Sequence, residues 1–124
     1  MDEITRLADS SYLLLTTFRR DGTPVPTPLW AARDGDSLIV WTAVDSGKVK
    51  RIRRDGNVRL APCTARGVPT GADTAARAEL MDAEGSDRAR KLIVSRYGLL
   101  GRLTVFGSTL RRGTEGTIGI RLKL

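Results

Sequence analysis

The chain contains no histidine and only one cysteine, Cys63, in 124 residues. Without histidine, the one side chain whose ordinary pKa lies near neutrality is missing, and Ser-His-Asp and Cys-His nucleophilic constellations are excluded with it. A lone cysteine forms no internal disulfide, and without imidazole neither a structural zinc centre nor a haem-His ligand set can be assembled, so no metal site is expected. Grouped acids are lacking too: Asp and Glu are spread over turns rather than paired as glycoside hydrolysis requires. Any enzymatic reactivity must therefore be borrowed from a bound group.

Long apolar runs are also absent: none approaches the ~18 to 20 residues needed to cross a bilayer. The start, Met1-Asp2-Glu3-Ile4-Thr5-Arg6, has neither a basic n-region nor an apolar h-region, which leads to the expectation of a cytoplasmic protein without a membrane partner. Aromatics are sparse at 5%, but 40% hydrophobic and 28% charged residues describe an ordinary globular chain. With no internal repeat and no low-complexity segment, one domain over residues 1–124 is expected.

What the chain does have is positive charge. Against 14 Asp and Glu stand 21 Lys and Arg, a net charge of +7. Such an excess favours an anionic partner, whether nucleic acid, a membrane surface or a phosphorylated small molecule, and charge alone does not choose among them.

A short helical lead-in over Asp2 to Ala8 precedes the β-prone run Tyr12 to Phe18, and Asp21-Gly22 marks a hairpin turn. The next strand, Pro24 to Ala31, has proline at every second position, so its missing N–H groups all point to one side; it belongs on a sheet edge or beside a gap. Asp34-Gly35-Asp36 turns the chain into Ser37 to Thr42, which completes a three-stranded meander. Asp45-Ser46-Gly47 then reads as the cap of a short helix ending at Asp55-Gly56. Val58 to Thr64 is a fourth strand whose Pro62 argues for an edge or a bulge, and Thr74 to Asp82 a fifth, although its alanines suit a helix equally well. Ser86 caps a helix with Ala89, Leu92, Ile93 and Tyr97 on one face. Leu99 to Leu110 adds a second helical piece, and Ile118, Ile120, Leu122 and Leu124 alternate in a closing strand. Meanders with few helices indicate a small antiparallel barrel, mostly β with short helices.

The strongest local feature runs from Thr42 to Arg54, where a strand end opens a helix bearing five cations in seven residues. Free backbone N–H groups, a hydroxyl and Lys or Arg at a helix start make an anion site; the plainer alternative is a solvated basic helix. The apolar stripe Val49 and Ile52 faces inward while Lys48, Arg51 and Arg54 line another. The proline-rich strand ending at Trp30 offers backbone to a flat ring, or is simply an edge blunted against aggregation. Trp30 and Trp41 suit a core or a dimer interface. Cys63 reads as a small buried apolar residue, and Tyr97 as packing at its helix end, with proton donation the minor alternative. A nucleic-acid-binding barrel would need exposed aromatics interleaved with the charges, and the basic helix has none.

Taken together, Gly22-Thr23-Pro24, Pro26 to Trp30, Val40-Trp41-Thr42, Ser46-Gly47-Lys48, Lys50-Arg51-Ile52, Asn57 to Cys63 and Arg66-Gly67 resemble the pyridoxamine 5'-phosphate oxidase-like family. Within it they are similar to the coenzyme F420-dependent oxidoreductases of actinobacteria. The resemblance implies a split β-barrel of the FMN-binding kind, with six to seven antiparallel strands, and a homodimer with cofactor at its interface. It implies that Ser46, Lys48, Lys50 and Arg51 hold a phosphate, that Thr27, Pro28, Leu29 and Thr42 flank a ring, and that Arg59 and Arg66 meet an anionic tail. The chemistry it implies is hydride transfer between reduced F420 and an organic substrate, with the cofactor rather than a side chain reacting. FMN is the alternative cofactor, and a non-catalytic carrier the alternative role. The lack of a Gly-x-Gly-x-x-Gly run speaks against a nicotinamide-binding domain.

Overall fold

Two Asp-Gly turns shape the first half of the chain. Gly22 and Gly35 adopt φ of 88° and 60°, in the left-handed region where a Cβ is strained, and the Asp21 carboxylate accepts the Thr23 N–H at 2.9 Å. They close the hairpins β1 (Tyr12–Phe18) with β2 (Pro24–Leu29), and β3 (Ala31–Asp34) with β4 (Ser37–Ala43). A computed structural model describes residues 2–112 and 116–124, the stretch 99–112 by its backbone alone. The remaining elements are α1 (Glu3–Asp9), α2 (Gly47–Arg54), β5 (Asn57–Cys63), β6 (Thr74–Leu80), α3 (Ala83–Arg112) and β7 (Thr117–Lys123).

The seven strands pair antiparallel in the order β2-β1-β5-β6-β7-β4-β3. Leu29 and Ala31 thus belong to opposite ends of the sheet with only Trp30 between them. The sheet must curl until its two edges nearly meet, which gives a half-barrel split along one seam. The expected three-stranded meander is corrected here: the run Pro24 to Ala31 breaks at Trp30, and β2 pairs with β1 but not with β3. Proline chemistry supplies the reason. Val25, Thr27 and Leu29 turn their N–H groups to β1, so the seam side of β2 carries the prolines and has carbonyls but no donors.

The concave face packs the core. Leu13, Leu15, Leu38, Val40, Leu60, Ile120 and Leu122 meet Ile4 and Leu7 from α1 and Val49 and Ile52 from α2. Burying a leucine completely contributes about 1.5 to 3 kcal/mol. Leu60 sits in register with Leu15 on β1 and Thr74 on β6, which places it at the centre of that interior. β5 is therefore an interior strand, and Pro62 is accommodated because β6 pairs only as far as Leu60. The Pro62 carbonyl accepts the Thr70 N–H on that vacated side.

Across the opposite face of β3, β4 and β7 lies α3, with Ala89 and Ile93 buried. Gly119 on β7 permits the close approach, since a Cβ there would stand 2.8 Å from the Ala89 Cβ. The helix starts before Ser86: Asp82 accepts the Gly85 N–H at 2.7 Å, and the Ser86 hydroxyl instead accepts the Gly119 N–H at 2.9 Å. At Gly98 (φ 60°, ψ −135°) the helical path breaks, so the two expected helical pieces follow one another across a kink. The fifth and closing strands end earlier than expected, at Leu80 and Lys123, and Leu124 is exposed. Among the described residues no helix is long and apolar enough to cross a membrane.

Asp34 fastens α3 to the sheet, accepting from Arg88 at 2.7 Å and from Arg121 at 3.1 Å. The Arg88 hydrogen bond, with Arg121 behind it, holds this carboxyl below the usual range against the opposing effect of burial. A depressed folded pKa means that the stabilisation is complete above the unfolded value of about 4 and is lost as pH falls through the folded value. Urea unfolding at pH 5 and pH 3 should show a smaller acid loss in Asp34→Asn than in the wild type, and equal losses would dismiss the clasp.

Candidate functional site

The strand-to-helix junction after β4 is built from local bonds. Ser46 donates its N–H to the Ala43 carbonyl at 3.2 Å and accepts the Lys50 N–H at 3.3 Å, with extended backbone at the N-cap position of α2. Its side chain does not cap. The Ser46 Oγ is buried and has no hydrogen-bond partner, and the first turn of the helix contains no acid. A cap hydroxyl ordinarily accepts a helix N–H, so a hydroxyl left aside at the positive end of a helix is available to an incoming oxyanion.

Arg51 lies over the same turn. A Cβ at Gly47 would stand 2.8 Å from its Nη1, so glycine leaves the room that the guanidinium occupies. Its Nε donates to the buried Thr17 hydroxyl at 2.7 Å. Burial, and then the nearby charge of Arg19, push the Arg51 pKa down. Both effects describe a cation that has lost water without gaining a counter-charge. Beside it opens a cleft of about 310 Å³ lined by Arg19, Arg20, Lys50, Arg51 and Arg54. A larger cleft of about 750 Å³ lies along α3, but it mixes Asp82, Glu84 and Asp87 with cations, and its Arg88 and Lys91 are paired with Asp34 and Asp87. Anion chemistry belongs to the smaller one.

The structure divides the residues singled out from the sequence. Ser46 occupies the N-cap position of α2 beside the Gly47 against which the Arg51 guanidinium lies, Lys50 lines the cleft, and Lys48 is not part of the cleft lining. On β2, Thr27 and Leu29 share the concave face with Leu15 and Leu13, while Pro28 lies on the other face with Leu14. Thr42 occupies the concave face of β4, in register with Ile118. Arg59 projects from the convex face of β5 and is held by Asp73 through two bonds of 2.7 and 3.1 Å. Arg66 is exposed in the loop whose Gly67 comes against Pro28 and Leu14. These last two are not brought to α2.

Tyr97 is committed to structure. Its ring stacks on Trp30 at 4.4 Å and its hydroxyl donates to the Ser11 carbonyl at 2.9 Å, while burial pushes its pKa up. Cys63 is buried, and burial raises its thiol pKa likewise, away from nucleophilic use. Thr17, Arg19 and Arg20 were not singled out from the sequence. Arg19-Arg20 ahead of the Asp-Gly turn was the visible signal, but its approach to α2 is a long-range contact.

The family model of pyridoxamine 5'-phosphate oxidase matches residues 2–112. The chain belongs to the pyridoxamine 5'-phosphate oxidase family. Its curled half-barrel is the flavin-binding split barrel of that family, and solved structures share it at low identity. A conserved hypothetical protein of Mycobacterium tuberculosis is 21% identical with a TM-score of 0.69, over 98% of this chain and 79% of that one. The heme storage protein HutZ from Vibrio cholerae is 14% identical with a TM-score of 0.67, over 98% and 87%. An F420 reductase is 20% identical with a TM-score of 0.61, over 96% and 90%. No curated protein matches the chain.

The residues present fit the phosphate of a flavin-type cofactor of this pyridoxamine 5'-phosphate oxidase family member: an unused buried hydroxyl, a glycine beneath a guanidinium, and no acid in the first turn of α2. Because the Ser46 side chain makes no cap bond, Ser46→Ala should leave the thermal midpoint of the ligand-free protein nearly unchanged, where loss of a working cap costs about 1 kcal/mol. A marked drop in the midpoint would show that the hydroxyl serves the helix rather than a ligand.

Proposed function

We propose that this protein is an F420-dependent oxidoreductase that transfers a hydride between the reduced deazaflavin and an organic substrate. The observation that carries the reading is the buried, unpartnered Ser46 hydroxyl at the N-cap of α2, next to the Gly47 against which the Arg51 guanidinium lies. Ser46, Lys48 and Arg51 hold the cofactor phosphate from the first turns of the helix, with Lys50 adjoining on the cleft side. Thr27, Leu29 and Thr42 line the concave wall beyond, and Pro28 contributes the carbonyl edge of β2 rather than its side chain. The bound cofactor supplies the hydride chemistry, and the protein orients it and keeps water away.

The net charge of +7 favours the more anionic F420 over FMN, and the F420 reductase of the same fold supports that choice. Arg66 remains the candidate for the anionic tail, whereas Arg59 reaches it only by releasing Asp73. A homodimer with the cofactor between copies belongs to the same proposal, supported by the exposed apolar side chain of Val68.

Titration of the purified protein with F420 and with FMN, followed by fluorescence quenching and by sedimentation of the complex, tests this reading. F420 should bind below about 100 micromolar and more tightly than FMN, and Ser46→Ala with Arg51→Ala should weaken it by about tenfold or more. A preference for FMN would keep the site and change the chemistry. Binding without substrate-dependent cofactor oxidation would assign a carrier, and binding of neither cofactor would overturn the proposal.

A further inference from the structure

Elsewhere on the molecule Arg6 pairs with Glu3, Arg59 with Asp73, Arg88 and Arg121 with Asp34, and Arg90 with Asp87, while Arg33, Arg77 and Arg96 donate to neutral oxygens. The cleft gathers five cations with no acid in its lining. Among the described residues, none of Arg19, Arg20, Lys50, Arg51 and Arg54 makes a salt bridge to an acid. Like charges brought to one cleft repel, and the fold positions two of them by specific bonds rather than letting them spread. Arg51 is fixed by Thr17, which is 1% exposed, and Arg54 donates to the Phe18 carbonyl at the end of β1. A single cofactor phosphate at the helix start leaves Arg19 and Arg20 without a counter-charge, and Ser46 does not line their cleft.

We propose that the cleft between the β1–β2 turn and α2 is a second oxyanion site, separate from the cofactor phosphate, for a phosphate-type group carrying two or more negative charges. Thr17 is its positioning residue. By accepting from Nε it fixes the guanidinium, whose terminal nitrogens lie against Gly47, and it spares the ligand the cost of ordering that side chain. Arg51 stands on the wall between the two sites. Arg19 and Arg20 line the cleft from the β1–β2 side, and a volume of about 310 Å³ accepts a compact group such as a pyrophosphate.

The test is calorimetric titration of the purified protein, in low-salt buffer free of multivalent anions, with inorganic phosphate and pyrophosphate as probes. Pyrophosphate should bind below about 1 mM and more tightly than phosphate, and Arg19→Ala with Arg20→Ala should weaken it by about tenfold. Thr17→Val should weaken it by about threefold or more with an unchanged midpoint of unfolding, and Thr17→Ser should restore it. Arg53→Ala, which removes an exposed cation of the same helix outside the cleft, should leave binding as it was. Ser46→Ala should also leave pyrophosphate binding as it was while weakening the cofactor, so failure of either site is seen independently of the other. Equal losses in Arg53→Ala and in the Arg19, Arg20 variant would reduce the cleft to diffuse charge and overturn the proposal. So would the absence of pyrophosphate binding, or a loss of F420 affinity in the Arg19, Arg20 variant that matches the loss for pyrophosphate.

Discussion

A sheet whose two edges are joined through one residue cannot lie flat. Trp30 imposes that condition, and the molecule secures it from both sides: the Trp30 ring stacks on Tyr97 at an interplanar angle of 9° and meets Tyr12 at 6.5 Å, while Arg96 donates to the Ala31 and Ser10 carbonyls. α3 is thereby pinned across the seam by its last residues before Gly98. Aromatic pairs of this kind contribute about 0.5 to 1.5 kcal/mol beyond the area they bury. The seam can stay unzipped because β2 offers it no N–H donors, and the closure is held by side chains instead of a ladder.

Curling has a consequence for charge. It carries the β1–β2 turn, with Arg19 and Arg20, to the same place as α2, which enters the barrel interior through Val49 and Ile52 and leaves Lys50, Arg51 and Arg54 outward. The concentration of cations is thus a product of two elements that are far apart along the chain. Thr17 shows how tightly this is built: a buried hydroxyl costs stability unless it is bonded, and its partner is a charged group of α2. The same bond that satisfies the threonine orients the arginine.

Much of this was legible in order along the chain. The two Asp-Gly turns, the alternation of prolines in β2 and the inward pair on α2 are signals whose physics is local, so their sequence reading and their structure agree. Boundaries and caps were less legible. Ser46 stands at the N-cap of α2 yet leaves its hydroxyl unused, whereas Ser86, expected as a cap, lies inside α3 with its hydroxyl taken by Gly119 on β7. Which acceptor a serine meets depends on what packs above it.

The sequence alone determined the chemistry that is excluded, through the missing histidine and the solitary cysteine, and it determined the hairpin turns and the basic helix, because composition, turn residues and periodicity are properties of neighbouring residues. Only the tertiary structure decided that the run ending at Trp30 splits between opposite edges, that Thr27 and Pro28 face different sides of the sheet, and that Arg59 answers to Asp73 while Arg51 answers to Thr17. Those outcomes rest on pairings between distant residues, Thr17 with Arg51 and Ala31 with Tyr97 among them. Such pairings exist only once the sheet has curled.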